Sequence, residues 1–335
     1  MGFDMERRRF LQAVSGAAAL AGCSQSEPVG ESAAELAEAP SLGIGQVCFI
    51  TDEYSQDLDE AIAFAKEFGV TQVEIRAIDG KYFFLEEAEK IKAVQQKLKD
   101  AGLRVALLDT PILKCVAPGP APAEHVLDDI KVAQGGFPIP KDEQFSRSME
   151  FLDRAIEAAK IFETSKIRVF SFWRVDEPAE IRSLLVDKLS EAGERAAKDG
   201  MSLCIENEGA CNIATCEEAM DVLADVPRNV GVIWDVLNGE TSGEAAYPDG
   251  YGKLDPKRIE HVHLKDYERI EDGNLKVVGI GEGLLPYPDI FRALAADGYQ
   301  GVISMETHFS VDGSRKEPSR RSMRGILAAL EAARG

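Results

Sequence analysis

Past Leu42 the chain alternates two patterns of apolar and polar positions. Short runs dense in Val, Ile, Leu and Phe fall at 43–50, 70–76, 103–109, 166–172, 201–207, 230–236, 259–265 and 301–307. Between them, stretches such as 57–68, 85–101, 142–162 and 179–199 repeat apolar residues every three to four positions. The first pattern predicts strands and the second amphipathic helices. Gly69, Gly102 and Gly200 stand between a helical stretch and the next strand, where a left-handed cap ends a helix. Strand and helix in strict alternation predict a parallel sheet, and eight such units are what a (β/α)8 barrel needs. A doubly wound sheet is the rival, but no Gly-rich phosphate loop follows the first strand. The barrel is therefore assigned to 42–335. Two connections, 110–141 and 237–258, are longer than a barrel requires and are expected over its mouth. Residues 267–283, with Asp272-Gly273-Asn274 at the centre, predict a hairpin.

The amino terminus breaks the pattern. Arg7-Arg8-Arg9 precede a short apolar run, Phe10 to Ala21, too short to span a bilayer. Basic, apolar and small-residue segments in that order predict an export signal over 1–22. Arg7 to Gln12 resembles the twin-arginine export motif, and Leu20-Ala21-Gly22-Cys23 resembles a bacterial lipobox. The resemblance implies export of a folded protein and a lipid on Cys23. It places the protein in the periplasm or cell envelope, with membrane contact only through that anchor. Residues 23–41, rich in Ser, Glu, Ala and Pro, predict a flexible tether. With Cys23 lipidated, five cysteines remain, of which Cys211 and Cys216 are the candidate pair for oxidation.

Composition narrows the function. The chain is 45% hydrophobic and 29% charged, as a globular protein is, and its formal net charge is −20. Such a charge excludes nucleic acid and anionic membrane surfaces as partners, since both need basic patches.

The chemistry concentrates at strand ends. In the run Ile259 to Asp266, alternation puts His261, His263 and Lys265 on one face, two of the chain's four histidines among them. Glu206, Asp235 and Glu306 close three other strands. From Glu206 to Asp235, on to His263 and then to Glu306, the spacing is one β–α unit, then one, then one plus the hairpin. A barrel sets Glu206, Asp235, His263 and Glu306 at one height on neighbouring strands. Three carboxylates so placed repel unless a cation joins them. Oxygen ligands with one imidazole suit Mn²⁺, Mg²⁺ or Co²⁺ and tolerate Zn²⁺. Glu208, Lys265 and His308 share this face by strand parity. Lys265 either holds negative charge on a bound molecule or pairs with a carboxylate such as Glu208, and His308 is a supporting or substrate group. Glu74, Arg76, Trp173 and Arg174 are candidates to line a pocket at the mouth, with packing or a rim charge as the alternatives for the last two. His261, one layer deeper, reads as structural.

The segments IENE, WDVLN, HVHLKD and SMETH, taken together, resemble the sugar phosphate isomerase/epimerase superfamily of xylose isomerase-like barrels, over about Leu42 to Leu330. Ketose 3-epimerases, hydroxypyruvate isomerases and inosose dehydratases belong to it. The resemblance implies that Glu206, Asp235, His263 and Glu306 bind the metal and that Glu206 and Glu306 form the acid/base pair. Asn238 stands where ketose epimerases carry a substrate-binding histidine, and Glu208 where many members carry histidine. The epimerases' substrate contacts are therefore not transferred.

The expected reaction is proton abstraction beside a carbonyl through a metal-stabilised enediolate. Return of the proton to the same carbon inverts it, and return to the neighbouring carbon isomerises. Loss of a β-substituent makes a dehydratase or lyase. Free sugar phosphates are scarce outside the cytoplasm, so an unphosphorylated sugar, keto-sugar or glycoside is the expected substrate. A non-catalytic sugar-binding lipoprotein is the alternative, although binding alone needs no acid/base pair.

Overall fold

The structure, a computed structural model, describes residues 40–136, 138–271 and 273–335. The export signal, Cys23 and most of the tether lie outside the described residues.

All eight expected strand regions form. They are β1 (Val47–Phe49), β2 (Gln72–Ile75), β3 (Arg104–Leu108), β4 (Lys166–Val169), β5 (Ser202–Glu206), β6 (Val230–Asp235), β7 (Ile259–Leu264) and β8 (Ile303–Met305). The ring runs β1-β8-β7-β6-β5-β4-β3-β2, and the strands pair in parallel. A single parallel bridge, Ile50 to Glu74, joins β1 to β2 at the seam. Several strands are shorter than their apolar runs; Asp109, Asn207 and Glu306 lie just past strand ends at the mouth, each still donating its backbone N–H to the neighbouring strand.

Each strand is followed by its helix: α1 (Leu58–Phe68), α2 (Ala88–Asp100), α3 (Ser148–Phe162), α4 (Arg182–Ala197), α5 (Cys216–Leu223), α6 (Val236–Thr241), α7 (Tyr287–Ala296) and α8 (Lys316–Arg334). Gly69, Gly102 and Gly200 all take positive φ, near 70–76°, as their capping positions require. The stretch 142–162 is not one helix. A separate turn, Lys141–Gln144, precedes α3. Likewise 110–141 is not a bare loop, for it carries a helix, Leu127–Gly136. The expected hairpin forms, with Asp266–Arg269 antiparallel to Leu275–Val278. The Asp266 carboxylate pins its far end by accepting the backbone N–H groups of Gly281, Gly283 and Leu285 at 2.9–3.1 Å.

Two apolar layers hold this together. The larger lies between strands and helices, with Phe49, Phe64, Leu152, Phe162 and Leu189 fully buried in it. Leu107, Cys204 and Ile233 form a separate small plug. They sit two residues before Asp109, Glu206 and Asp235, so strand parity sets them inside the barrel beneath the charged side chains. The five described cysteines are free, buried thiols, so Cys211 and Cys216 form no disulfide.

Candidate metal centre and active site

Four strands deliver the expected ligands to one point. Asp235 is paired in register with His263, and Ser304 with His263 on the other side, so β6, β7 and β8 present neighbouring side chains. Glu206, Asp235, His263 and Glu306 each offer one ligand atom, and these atoms lie within 4.8 Å of one another. Ligands bonded to an ion at about 2.0–2.2 Å sit roughly 3–4 Å apart, so a small contraction would close the set.

Each donor is aimed by its surroundings. Asp235 caps α6, accepting the N–H of Leu237 and Asn238 on Oδ1 at 3.0 and 2.9 Å, which leaves Oδ2 for the site. Lys265 Nζ lies 2.6 Å from Asp235 Oδ2 and 2.8 Å from Glu306 Oε2. His263 Nδ1 lies 3.1 Å from Glu206 Oε1 and 3.3 Å from Glu306 Oε2. Arg168 donates from Nη1 to Glu206 Oε2 at 3.1 Å. His308 Nε2 sits 2.9 Å from Glu306 Oε1.

Burial alone would keep these carboxyls protonated. For Glu206, Arg168 and His263 outweigh burial and hold the carboxyl down at about 2. For Glu306, His308 and Lys265 do the same, well below the ordinary range. Burial also opposes the Lys265 ammonium, but Asp235 and Glu306 keep it charged. Among the described residues, buried Glu306 Oε2 finds no well-formed hydrogen bond despite its two nitrogen neighbours. An acceptor-rich, anionic set with such an oxygen fits a divalent cation.

The remaining candidates divide. Glu208 pairs with Lys114 at 2.9 Å, so Lys265 is paired with Asp235 and Glu306 and not with Glu208. A cavity of about 660 Å³ opens beside them, lined among others by Lys114, His125, Trp173, Arg174, Glu208 and Thr241. None of the four ligands lines it; Glu208, two residues beyond Glu206, links the two. Trp173 is buried against Ala123, Val126 and Ile130, with Lys114 5.4 Å over its ring. Arg174 is held by Glu218 at 2.7 Å. Asn238 donates from its amide to the Asn207 carbonyl at 2.8 Å, so it braces the β5–β6 mouth. Glu74 does not line a pocket. Its parity is inward as expected, but it lies one layer too deep and is fully buried against His261 and His263. Arg76, above it, is tied to Asp52 and Glu53.

Sequence reasoning missed four groups: Arg168, Asp109, Lys114 and Glu53. Glu53 collects Arg76 at 2.6 Å and Arg315 at 2.5 Å behind Glu306. Asp109 is fully buried, 3.3 Å from Arg168 Nε but at an angle that makes no hydrogen bond. Burial pushes its carboxyl well up. Asp109 carried the same signal as Asp235, an acid closing an apolar strand.

The model of the xylose isomerase-like TIM barrel family matches residues 62–329. Inosose dehydratase of Geobacillus thermodenitrificans is 33% identical over 141 residues, 37% of this chain and 46% of that protein. The chain thus spans less than half the length of that curated relative. Among solved structures, the IOLI protein with a bound zinc atom superposes with a TM-score of 0.66 at 17% identity, over 85% of this chain and 98% of that one. The 3-keto-D-glucoside 4-epimerase YcjR of E. coli gives 0.61 at 20% identity, over 85% and 98%. At these identities the structural likeness shows the fold alone. By the extent of the family match, this chain belongs to the xylose isomerase-like TIM barrel family.

Proposed function

We propose that the protein is a metal-dependent isomerase or epimerase of a neutral sugar or keto-sugar, acting by proton abstraction beside a carbonyl. One observation carries this reading. Glu206 and Glu306, both held ionised in a buried site, flank His263 Nδ1 at 3.1 and 3.3 Å. Two ionised carboxylates converging on one point can serve to remove a proton and return it. A divalent ion held by Glu206, Asp235, His263 and Glu306 would polarise the carbonyl and acidify the neighbouring C–H. Arg168 keeps Glu206 ionised until it accepts the proton. Lys265 is placed to hold negative charge on the substrate oxygen next to Glu306.

Charge pairing supports a substrate without phosphate. Lys114 pairs with Glu208, Arg174 with Glu218, Arg76 with Glu53 and Arg168 with Glu206. None of these cations is left over for a dianion. The cavity beside Glu208 gives room for a second ring, as in a glycoside. The partial similarity to inosose dehydratase favours a second outcome, in which the same abstraction expels a β-hydroxyl as water. We further propose that the enzyme is exported by the twin-arginine route and tethered to the envelope through Cys23.

The test is solvent exchange: keto-sugars and keto-glycosides in D₂O with Mn²⁺, followed by proton NMR. Wild type washes out a C–H signal beside the carbonyl, and Glu306→Gln slows this at least 100-fold. Exchange that proceeds equally in Glu306→Gln and wild type contradicts the proposal.

A further inference from the structure

We propose that Glu74 is a positioning residue that fixes the tautomer and ring orientation of His263, so that Nδ1 presents its lone pair to the cation site. This inference rests on the metal reading above. Glu74 stands on β2 at the barrel seam, where its backbone bridges to Ile50 and its carbonyl accepts from the Thr51 hydroxyl at 3.3 Å. Its side chain crosses the barrel to β7, where both oxygens are used. Oε1 meets His261 Nε2 at 2.7 Å, and Oε2 meets His263 Nε2 at 3.1 Å. All three side chains are fully buried, and the two rings stand edge to face, 89° apart.

The chemistry follows from what a carboxylate can do. An ionised carboxylate only accepts, so each imidazole nitrogen facing Glu74 must carry the hydrogen. Nδ1 of His263 faces carboxylates as well, those of Glu206 and Glu306, so without an ion both ring nitrogens carry a hydrogen. The one on Nε2 is held by Glu74, and a divalent ion would take the place of the one on Nδ1. Among the described residues His261 Nδ1 has no hydrogen-bond partner, which agrees with its hydrogen being on Nε2. His261 therefore steadies the carboxylate that steadies the ligand, and is not itself a ligand at the four-residue site. A ligand histidine donating its second nitrogen to a carboxylate gains basicity and a fixed orientation, and losing that partner weakens metal affinity about 10–100-fold. Glu74, His261 and His263 are also close enough to hold an ion themselves. Contacts of 2.7 and 3.1 Å are ordinary hydrogen bonds.

The experiment titrates Mn²⁺ into full-length wild type and Glu74→Gln by calorimetry, at one pH. The Co²⁺ absorption spectrum is recorded for both, and thermal unfolding of the metal-free proteins checks folding. Glu74→Gln is expected to bind one ion about 10–100-fold more weakly and to alter the Co²⁺ spectrum, while unfolding cooperatively. Equal affinity and an unchanged spectrum overturn the positioning role and leave the functional proposal standing. Two ions per chain in wild type, one of them lost in His261→Asn, overturn it in favour of a second metal site. A wild type that takes up no divalent ion overturns both readings. Should Glu74→Gln not fold, His261→Asn carries the test: several-fold weaker binding supports the clamp, and unchanged binding overturns it.

Discussion

Replacing Arg168 by Met removes the cation on which the buried acids of the barrel mouth depend. Arg168 is almost wholly buried, 3.1 Å from Glu206 and 3.3 Å from Asp109. Methionine retains much of the volume but none of the charge. Breaking a buried pair from one side costs about 3–5 kcal/mol, because the remaining carboxylate keeps its desolvation penalty. At roughly 2 °C per kcal/mol for a domain of this size, the metal-free variant should melt about 6–10 °C lower at pH 7. The pH dependence gives a second, independent check. In wild type the Glu206 carboxyl is lowered to about 2, so its contribution is present above the ordinary carboxyl range and fades as pH falls toward 2. Without Arg168, burial dominates and Glu206 protonates at higher pH. The variant's deficit therefore shrinks as pH drops from 7 to 5. Differential scanning calorimetry across pH 5–8 decides it. A variant within 1 °C of wild type at every pH would refute the claim that Arg168 holds these acids.

Two further substitutions test other parts of the architecture. A Cβ on Gly325 would come 1.7 Å from the Ile280 carbonyl oxygen, and Asp266 pins that segment through Gly281 and Gly283. Gly325→Ala should cost about 3 kcal/mol, at the upper end for overpacking, and a melting point within 1 °C of wild type would show that α8 shifts freely. Lys114→Met disturbs the cavity without touching a ligand, so it should raise KM several-fold with kcat nearly unchanged. A fall in kcat at constant KM would move Lys114 into the chemistry.

The convergence of Glu206, Asp235, His263 and Glu306 was legible because each needs only strand parity and a place at a strand's carboxyl end. Depth along a strand was not legible in the same way. Glu74 has the right parity, yet the stagger of β2 at the seam sets it beneath His263. The cations were harder still, since which carboxylate Arg168, Arg76 or Lys114 reaches is set by tertiary distance. A charged residue at inward parity in the β4 run Lys166–Val169 was nevertheless a readable sign. The helix Leu127–Gly136 escaped because Pro and Gly dominate both ends of its loop, and local propensity there points to coil. The onset of α3 was misplaced because the acidic turn at 141–144 extends its periodicity backwards.

The central claim is that Glu206, Asp235, His263 and Glu306 hold one divalent ion on which proton abstraction depends. Elemental analysis of the protein lacking residues 1–40, after incubation with Mn²⁺ and desalting, tests it beside the Glu206→Gln/Glu306→Gln double variant. The account predicts about one ion per chain in wild type and loss of it in a variant that still folds. A wild type that stays metal-free, or a double variant that keeps its ion, would contradict it.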